Sequence, residues 1–239
     1  MGSLIVPEKQ GDRLALLRLL QLADSGFPTG AFAFSHGLEG LVEEGLVRGG
    51  GEVAAVLRAQ VEESLAGVEA PAARHAHRFA AAGDVDGLIG LDGELTAVKP
   101  VPAFYAASTK VGRRLLASSG EVVDGPVAAA YRRAVTEGQA AGHQAVAYGV
   151  VLQTAGLDEE TTALALAAGF VASLAAAAVR LGVIGQSAAQ RTIAALHPSL
   201  LAAVERSRRT EIDEMGSYLP MVDLAGLRQP ALAGRLFGS

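Results

Sequence analysis

The sequence predicts an all-α protein that folds as a single-domain helical bundle of about ten helices. Half of the 239 residues are hydrophobic, so the chain can bury a substantial core. These residues are mostly Ala, Leu and Val, only 5% of the chain is aromatic, and Trp is absent. This composition favours close helix packing over a pleated sheet. Gly, Pro and Asp separate the segments that have helical periodicity.

The expected elements follow from periodicity and from turn-forming residues. A first helix has an apolar stripe at Leu14, Leu17 and Leu20 and should end near residue 23, before a Gly-Phe-Pro turn. Ser35 is interpreted as a helix N-cap. A helix that begins after the glycines at 49–51 should be interrupted at 67–71. The other expected helices are 31–45, 72–82, 85–98, 103–118, 126–155 unless it breaks near residue 142, 158–181 and 187–196.

Two C-terminal stretches need separate interpretation. Residues 161–185 approach the roughly 20 residues of a membrane span, but Ala dominates them and contributes little to insertion. We therefore interpret them as the central helix of the bundle, with a membrane span as the alternative. Beyond Pro198 the chain is more charged and rich in Gly and Pro. We accordingly expect a helical domain over 1–214 and a partner-binding tail of the same domain over 215–239.

The overall composition excludes several classes of protein. The net charge of -5 and the lack of a basic patch with interleaved aromatic residues argue against nucleic-acid binding. The absence of Cys excludes disulfides, thiolate chemistry and Cys-based zinc sites. The start of the chain lacks the cationic and apolar regions of a signal peptide. We expect a cytoplasmic protein without a membrane partner.

A Ser-His-Gly sequence at Ser35 raises the question of catalysis. Residues 33–37 resemble a nucleophile elbow, and His143 and His197 lie downstream as candidate bases. An elbow needs a buried strand before the serine, but a helix-periodic segment and a Pro-containing turn precede Ser35. A non-catalytic protein is therefore predicted, and the alternatives are a serine hydrolase that uses Ser35 or a helical regulator without enzymatic activity.

Neither a metal nor a cofactor is predicted. His75 and His77 are two residues apart, so on a helix they point to nearly opposite sides, and a surface pair is expected. His143 is interpreted as a capped or partly buried histidine. The glycines at 49–51 lack the remaining residues of a phosphate-binding loop.

Four stretches, in order along the chain, resemble the urease accessory protein UreF family. The first is LLQLADSGFPTGAFAFSHGLEGLVEEGLV, which includes Ser35, Gly37 and Glu39. The second is ASTKVGRRLL, and the third is GHQAVAYGV followed by AAAAVRLGVIGQSAAQR, which includes Gln186. The fourth is DLAGLRQPALAGRLFGS. This tail departs from the family pattern, because Arg-Gln-Pro at 228–230 replaces the common Arg-His-Glu.

The resemblance implies an all-α homodimer with no catalytic activity of its own. It implies a scaffold that joins UreD, also called UreH, to the GTPase UreG. The assembly would deliver nickel to apo-urease in a GTP-dependent way, and the scaffold would modulate the GTPase by activation or by fidelity control.

The resemblance also suggests which residues contact partners. We expect the tail to be mobile alone and to become ordered when UreD docks. Arg235 could contribute to recruitment of UreG, or it could be a solvated arginine at a frayed end. The predicted partner-binding residues are Ser35, Gly37, Glu39, Gln186, Leu224, Leu227, Arg228, Arg235, Leu236 and Phe237.

Overall fold

A computed structural model describes residues 10–229 and 236–238. Within these ranges the regular structure is helical and includes no strand, so the predicted all-α class is confirmed. The α-helices are α1 (Gln10–Leu22), α2 (Leu38–Glu43), α3 (Gly50–Ala59), α4 (Ala70–Ala82), α5 (Val85–Ala97), α6 (Pro102–Ser119), α7 (Pro126–Thr136), α8 (Gln144–Thr154), α9 (Glu159–Arg180), α10 (Gln186–Ser207) and α11 (Pro220–Arg228).

The helix expected over 31–45 is wrong, because the segment divides into two short pieces. A 3₁₀ turn covers Ala31–Ala33, the chain then becomes extended at Phe34, and α2 begins only at Leu38. The N-cap of α2 is Gly37 rather than Ser35. A left-handed residue cannot continue a right-handed helix, and both His36 and Gly37 have positive φ.

The helix after the triple glycine continues without the interruption expected at 67–71. Between α3 and α4 the chain forms a π-helical segment over Gln60–Glu69, so helical structure is continuous from residue 50 to 82. Pro71 does not break it, because it lies in the first turn of α4. A π-helix is rare and occurs frequently at functional sites.

Two further boundaries depend on Gly and Pro. The chain breaks between α7 and α8, where Gly138 and Gly142 have φ of 78° and 80°. The predicted end of α10 at 196 is wrong, because the helix continues through Pro198 to Ser207. Both Pro198 and Ala194, four residues before it, are exposed. Water can therefore satisfy the carbonyl of Ala194, which loses its helical donor.

The helices enclose two hydrophobic cores. One core lies among α4, α5, α6, α7 and α8, and the other lies among α2, α3, the π-helical segment, α9, α10 and α11. In the first, a Cβ at Gly149 of α8 would lie 2.4 Å from the carbonyl oxygen of Ala73, so glycine permits α8 to approach α4 closely. The apolar helix α9 contacts α4, α8 and α10. By length and composition α9 could span a membrane, but half of its most apolar window is buried inside the protein, as expected for a core helix.

Candidate partner-binding site

The segment that leads into α2 has an unusual backbone. His36 has φ of 48° and Gly37 has φ of 87°, which places both in the left-handed region. A Cβ at Gly37 would lie 2.9 Å from the carbonyl oxygen of Val222 in α11. Residue 37 is therefore glycine for two reasons, the positive φ and the close approach of α11.

Ser35 and Glu39 face the chain's own C-terminal residues. Their exposed fractions are only 1% and 3%. The side-chain amide of Gln229 donates to Glu39 Oε2 at 3.2 Å and to Ser35 Oγ at 3.5 Å. The backbone N–H of Leu236 donates to Glu39 Oε1 at 2.6 Å. The buried carboxylate is thus satisfied by two donors from the C-terminal segment, as the cost of burying a charge requires.

Helices α2 and α11 pack at very short distance. A Cβ at Gly40 would lie 2.9 Å from the carbonyl oxygen and 3.0 Å from the Cβ of Ala225. At the edge of this contact, Arg228 Nη1 donates to Glu44 Oε1 at 2.6 Å. The inner face of α11 is therefore fixed on α2, with Val222 and Ala225 in the second core.

The outer face of α11 is apolar and exposed. Met221, Leu224 and Leu227 are 52%, 46% and 55% exposed. A shallow groove of about 440 Å³ lies between α11 and α3. It is lined by Leu41, Leu46, Val47, Glu52, Ala55, Val56, Ala59, Tyr218, Leu219, Pro220, Met221 and Val222. Exposed apolar side chains along one face of a helix, beside an apolar groove, make this surface a candidate site of protein interaction.

A cavity of about 340 Å³, partly open to solvent, lies next to His36. Part of its wall is the π-helical segment, and Glu69 at the end of that segment forms an ion pair with Lys99. Burial lowers the pKa of His36 to about 4, although Glu69 acts in the opposite direction. The wall therefore combines an imidazole that is uncharged at neutral pH, the Glu69–Lys99 ion pair and the carboxyl group of Asp223, whose pKa is raised by burial.

A second buried polar cluster surrounds His143, which is fully buried. His143 Nδ1 lies 3.0 Å from Ser108 Oγ, and Nε2 lies 3.1 Å from Thr96 Oγ1. Burial lowers the pKa of His143 to about 4. The side chain of Asp92 accepts from the backbone N–H of His143 and not from its ring. A capped or partly buried histidine was predicted, and the structure places His143 at the N-cap of α8 with its side chain completely buried.

The site lacks the geometry of a serine hydrolase. Among the described residues, Ser35 Oγ has the amide of Gln229 as its only hydrogen-bond partner, so no histidine activates it. The predicted surface pair is wrong for His75, which is 8% exposed, with its Nε2 2.9 Å from the carbonyl oxygen of Thr210. His77 Nε2 lies 2.9 Å from the carbonyl oxygen of Leu157. Across residues 10–229 and 236–238, no three His, Cys, Asp or Glu side chains are placed to hold a metal ion.

The predicted site residues occupy different environments. Ser35, Gly37 and Glu39 lie against the C-terminal segment, in which Leu236 is 57% exposed and Phe237 is 2% exposed. In contrast, Gln186 begins α10 and is exposed, and no hydrogen bond or ion pair among the described residues joins it to this group. The prediction for Arg235 lies outside the described residues.

Fold and site together define a helical protein with an exposed apolar surface on α11 that is suited to another protein. A family model of UreF matches residues 47–197. The urease accessory protein UreF of Arthrobacter sp. strain FB24 is 37% identical over 225 residues, which are 93% of this chain and 96% of that protein. The UreF proteins of Paenarthrobacter aurescens and Trichodesmium erythraeum are 36% and 30% identical, over 93% of this chain and 97% and 96% of theirs. The chain belongs to the UreF family of urease accessory proteins, which are not enzymes.

Sequence reasoning missed three residues of the site. Gly40 permits the α2–α11 contact, Gln229 satisfies Glu39, and Arg180 holds the terminal segment. The spacing of Gly37 and Gly40 on one helical face was an available signal of a close helix contact. Arg180 was a second signal, since it is a single cation that ends a long apolar helix.

Proposed function

We propose that this urease accessory protein is a cytoplasmic scaffold that joins UreD, or UreH, to the GTPase UreG. The scaffold would thereby promote GTP-dependent insertion of nickel into apo-urease. Membership of the UreF family supports the accessory role. The single observation that carries the binding proposal is the exposed apolar face of α11, because the other face of that helix is already fixed on α2.

UreD is the proposed occupant of the α11 face. Leu224 and Leu227 would be central anchors, and the ion pair of Arg228 with Glu44 lies at the rim. Apolar anchors surrounded by polar groups are the usual anatomy of a protein interface. The proposed tail over 215–239 thus includes both a helix fixed on its own domain and a surface offered to UreD.

The test is a pull-down with purified UreD. The double variant Leu224→Asp/Leu227→Asp should lower UreD capture by at least about tenfold, because two charges would be buried without partners. Leu201→Asp is the matched control, since Leu201 is 60% exposed on α10. Circular dichroism should show unchanged helix content in both proteins. If the double variant captures UreD at the wild-type level, the proposal that UreD docks on α11 is refuted.

Arg235 is the proposed contributor to UreG recruitment, in keeping with the planar, multiply donating guanidinium that suits carboxylate partners. Arg235→Ala should retain UreD binding and helix content and should weaken capture of UreG. Deletion of residues 224–239 should impair binding of UreD itself. Normal assembly of all three proteins by both variants would refute a docking role for the tail. In the structure α11 and residues 236–238 pack on the domain, so the predicted mobility of the isolated tail does not extend to them, and hydrogen exchange with and without UreD measures this difference.

Self-association is proposed through α1 and α9. Four leucines of α1, namely Leu14, Leu16, Leu17 and Leu20, are 48%, 42%, 64% and 61% exposed. A groove of about 180 Å³ lies at the C-terminal end of α1, where Leu22 lines it together with Gly169, Ala172 and Ala176 of α9. Of the four alanines at 175–178, only Ala176 is exposed, and the others belong to the second core. A leucine ridge beside a groove of small residues can pair with a second copy about a two-fold axis.

Light scattering at micromolar concentration tests this dimer. Leu17→Glu/Leu20→Glu should convert dimer to monomer, whereas Leu201→Glu should not. A wild-type protein that stays monomeric even with its partners would contradict the proposal.

The effect on the GTPase requires no catalytic group in the scaffold. A scaffold shifts a nucleotide-dependent equilibrium only through different affinities for its two states, and a coupling of about 1–3 kcal/mol is typical. We therefore expect the affinity for UreG to depend on its bound nucleotide. Nickel binding to the isolated, untagged protein should be weak in calorimetry. Submicromolar binding that His75→Ala/His77→Ala abolishes would oppose that expectation.

A further inference from the structure

The last described residues of the chain are held as a bound peptide would be. The N–H of Leu236 donates to Glu39 Oε1 at 2.6 Å, and the N–H of Gly238 donates to the carbonyl oxygen of Ala33 at 2.9 Å. Between them, the carbonyl oxygen of Leu236 accepts from Arg180 Nη2 at 3.4 Å. Three main-chain groups around one aromatic residue are therefore recognised by three separate parts of the domain.

The side chains of this segment alternate between the interior and the solvent. Phe237 is 2% exposed and belongs to the second core, whereas Leu236 is 57% exposed and Gly238 is exposed. The guanidinium carbon of Arg180 lies 4.3 Å from the centroid of the Phe237 ring. A cation over an aromatic face stabilises the ring, and more strongly where water is excluded. Main-chain hydrogen bonds with a pocket for an alternate side chain are a general mode of peptide recognition.

The residues that form the pocket are held in place by contacts other than those with the segment. Arg180 Nη1 also donates to the carbonyl oxygen of Phe32. Ser173 of α9 donates to the carbonyl oxygen of Ala31 at 3.3 Å, which ties the 3₁₀ turn to α9. Glu39 lies in α2 and keeps its contact with Gln229. A pocket whose walls are fixed in this way is preorganised for its ligand.

We propose that Ala33, Glu39 and Arg180 form a peptide-binding site. Its ligand is the Leu-Phe-Gly segment of the chain's own C-terminal end, and the site accepts the same peptide from solution when the attached segment is weakened. An attached ligand has a high effective concentration, so in the wild-type protein it excludes a free copy. The inference concerns the isolated protein and does not depend on UreD or UreG.

The first experiment uses the full-length chain and a fluorescein-labelled GRLFGS peptide, which corresponds to residues 234–239. In fluorescence anisotropy, Phe237→Ala protein should bind this peptide at least tenfold more tightly than wild type. Addition of Arg180→Ala should weaken that binding at least tenfold, and addition of Arg191→Ala, an exposed arginine of α10, should not. The peptide GRLAGS should show no saturable binding. Equal binding by wild type and Phe237→Ala, or binding indifferent to Arg180→Ala, would overturn the proposal.

A second experiment avoids any change to the ligand. Hydrogen exchange in the full-length protein should show protected amides at Leu236 and Gly238, since both donate hydrogen bonds. In Arg180→Ala their exchange should accelerate at least tenfold, while amides in the core of α8 keep wild-type rates. Unchanged protection in Arg180→Ala would refute the site even if Phe237→Ala proved unstable.

Discussion

Among the buried carboxylates of the described residues, Asp92 should be the one whose replacement destabilises the fold most. Asp92 lies in α5 and is completely buried. Its Oδ1 accepts from Tyr131 Oη and from the N–H of His143, both at 2.8 Å. Its Oδ2 accepts from the N–H groups of Ala141 and Gly142. One carboxylate therefore satisfies the loop that joins α7 to α8.

The magnitude follows from the four donors. A buried donor left without a partner costs about 1–3 kcal/mol, so Asp92→Ala, which orphans all four, should cost about 5 kcal/mol after partial hydration. Asp92→Asn can place its amide oxygen where Oδ2 lies and can donate to Tyr131 Oη. The N–H of His143 and the hydroxyl proton of Tyr131 then both lack an acceptor, so the expected cost is about 3 kcal/mol.

The Tyr131→Phe variant measures how much the hydroxyl group of Tyr131 alone contributes to the free energy of unfolding. Burial raises the pKa of Tyr131 well above its ordinary value, and the charge of Asp92 adds to the effect, so the hydroxyl stays a donor. Its loss should cost about 2 kcal/mol, the usual contribution of a hydrogen bond to a charged group.

Urea denaturation followed by circular dichroism measures these free energies. Glu94→Ala is the matched control, because Glu94 lies two residues further along α5 and is exposed, so its loss should change stability by less than about 0.5 kcal/mol. Equal costs for Asp92→Asn and Asp92→Ala, or a cost below about 1 kcal/mol for Asp92→Ala, would refute the reasoning.

Three further predictions concern charge and close helix contacts. Burial alone raises the pKa of Glu159, but hydrogen bonds from Arg78 and Arg74 outweigh it and lower the pKa to about 2, from 4.5. This stability is complete above pH 4.5 and is lost as the pH falls towards 2, and solvent screening limits it to about 1–2 kcal/mol. Urea titrations from pH 6 to 3 should show a smaller decline for Glu159→Gln. Gly149→Ala should cost about 1–3 kcal/mol in the same assay, since α8 must move away from α4. Gly40→Ala should loosen α11 and accelerate amide exchange there, and unchanged exchange in α11 would contradict the packing described.

Composition and periodicity were sufficient for the fold class and for most of the long helices. Few aromatic residues and many Ala, Leu and Val residues favour helices whatever their final arrangement, because helix propensity and amphipathic spacing are local properties. The helix predicted to begin at residue 158 begins at Glu159 in the structure, and its N-cap Asp158 accepts from the N–H of Thr161 at 2.7 Å. Four motifs in chain order indicated the UreF family.

Residue types that favour a helix start or end gave wrong predictions where tertiary contacts decide the backbone conformation. Ser35 has the residue type of an N-cap, but the approach of α11 places Gly37 at that position instead. Pro198 favours a helix end, but an exposed turn of α10 tolerates it. In both cases the free-energy cost of the conformation depends on the residues that are neighbours in space. Periodicity along the chain carries no information about those neighbours.

The sequence by itself determined an all-α protein of the UreF family without a catalytic constellation. Only the tertiary structure decided that Glu39 is buried against its own C-terminal segment while the outer face of α11 remains exposed. The physical reason is distance along the chain. Glu39 and Leu236 are 197 residues apart, and a hydrogen bond between them exists only after packing of α2, α9 and α11 has brought these two residues together.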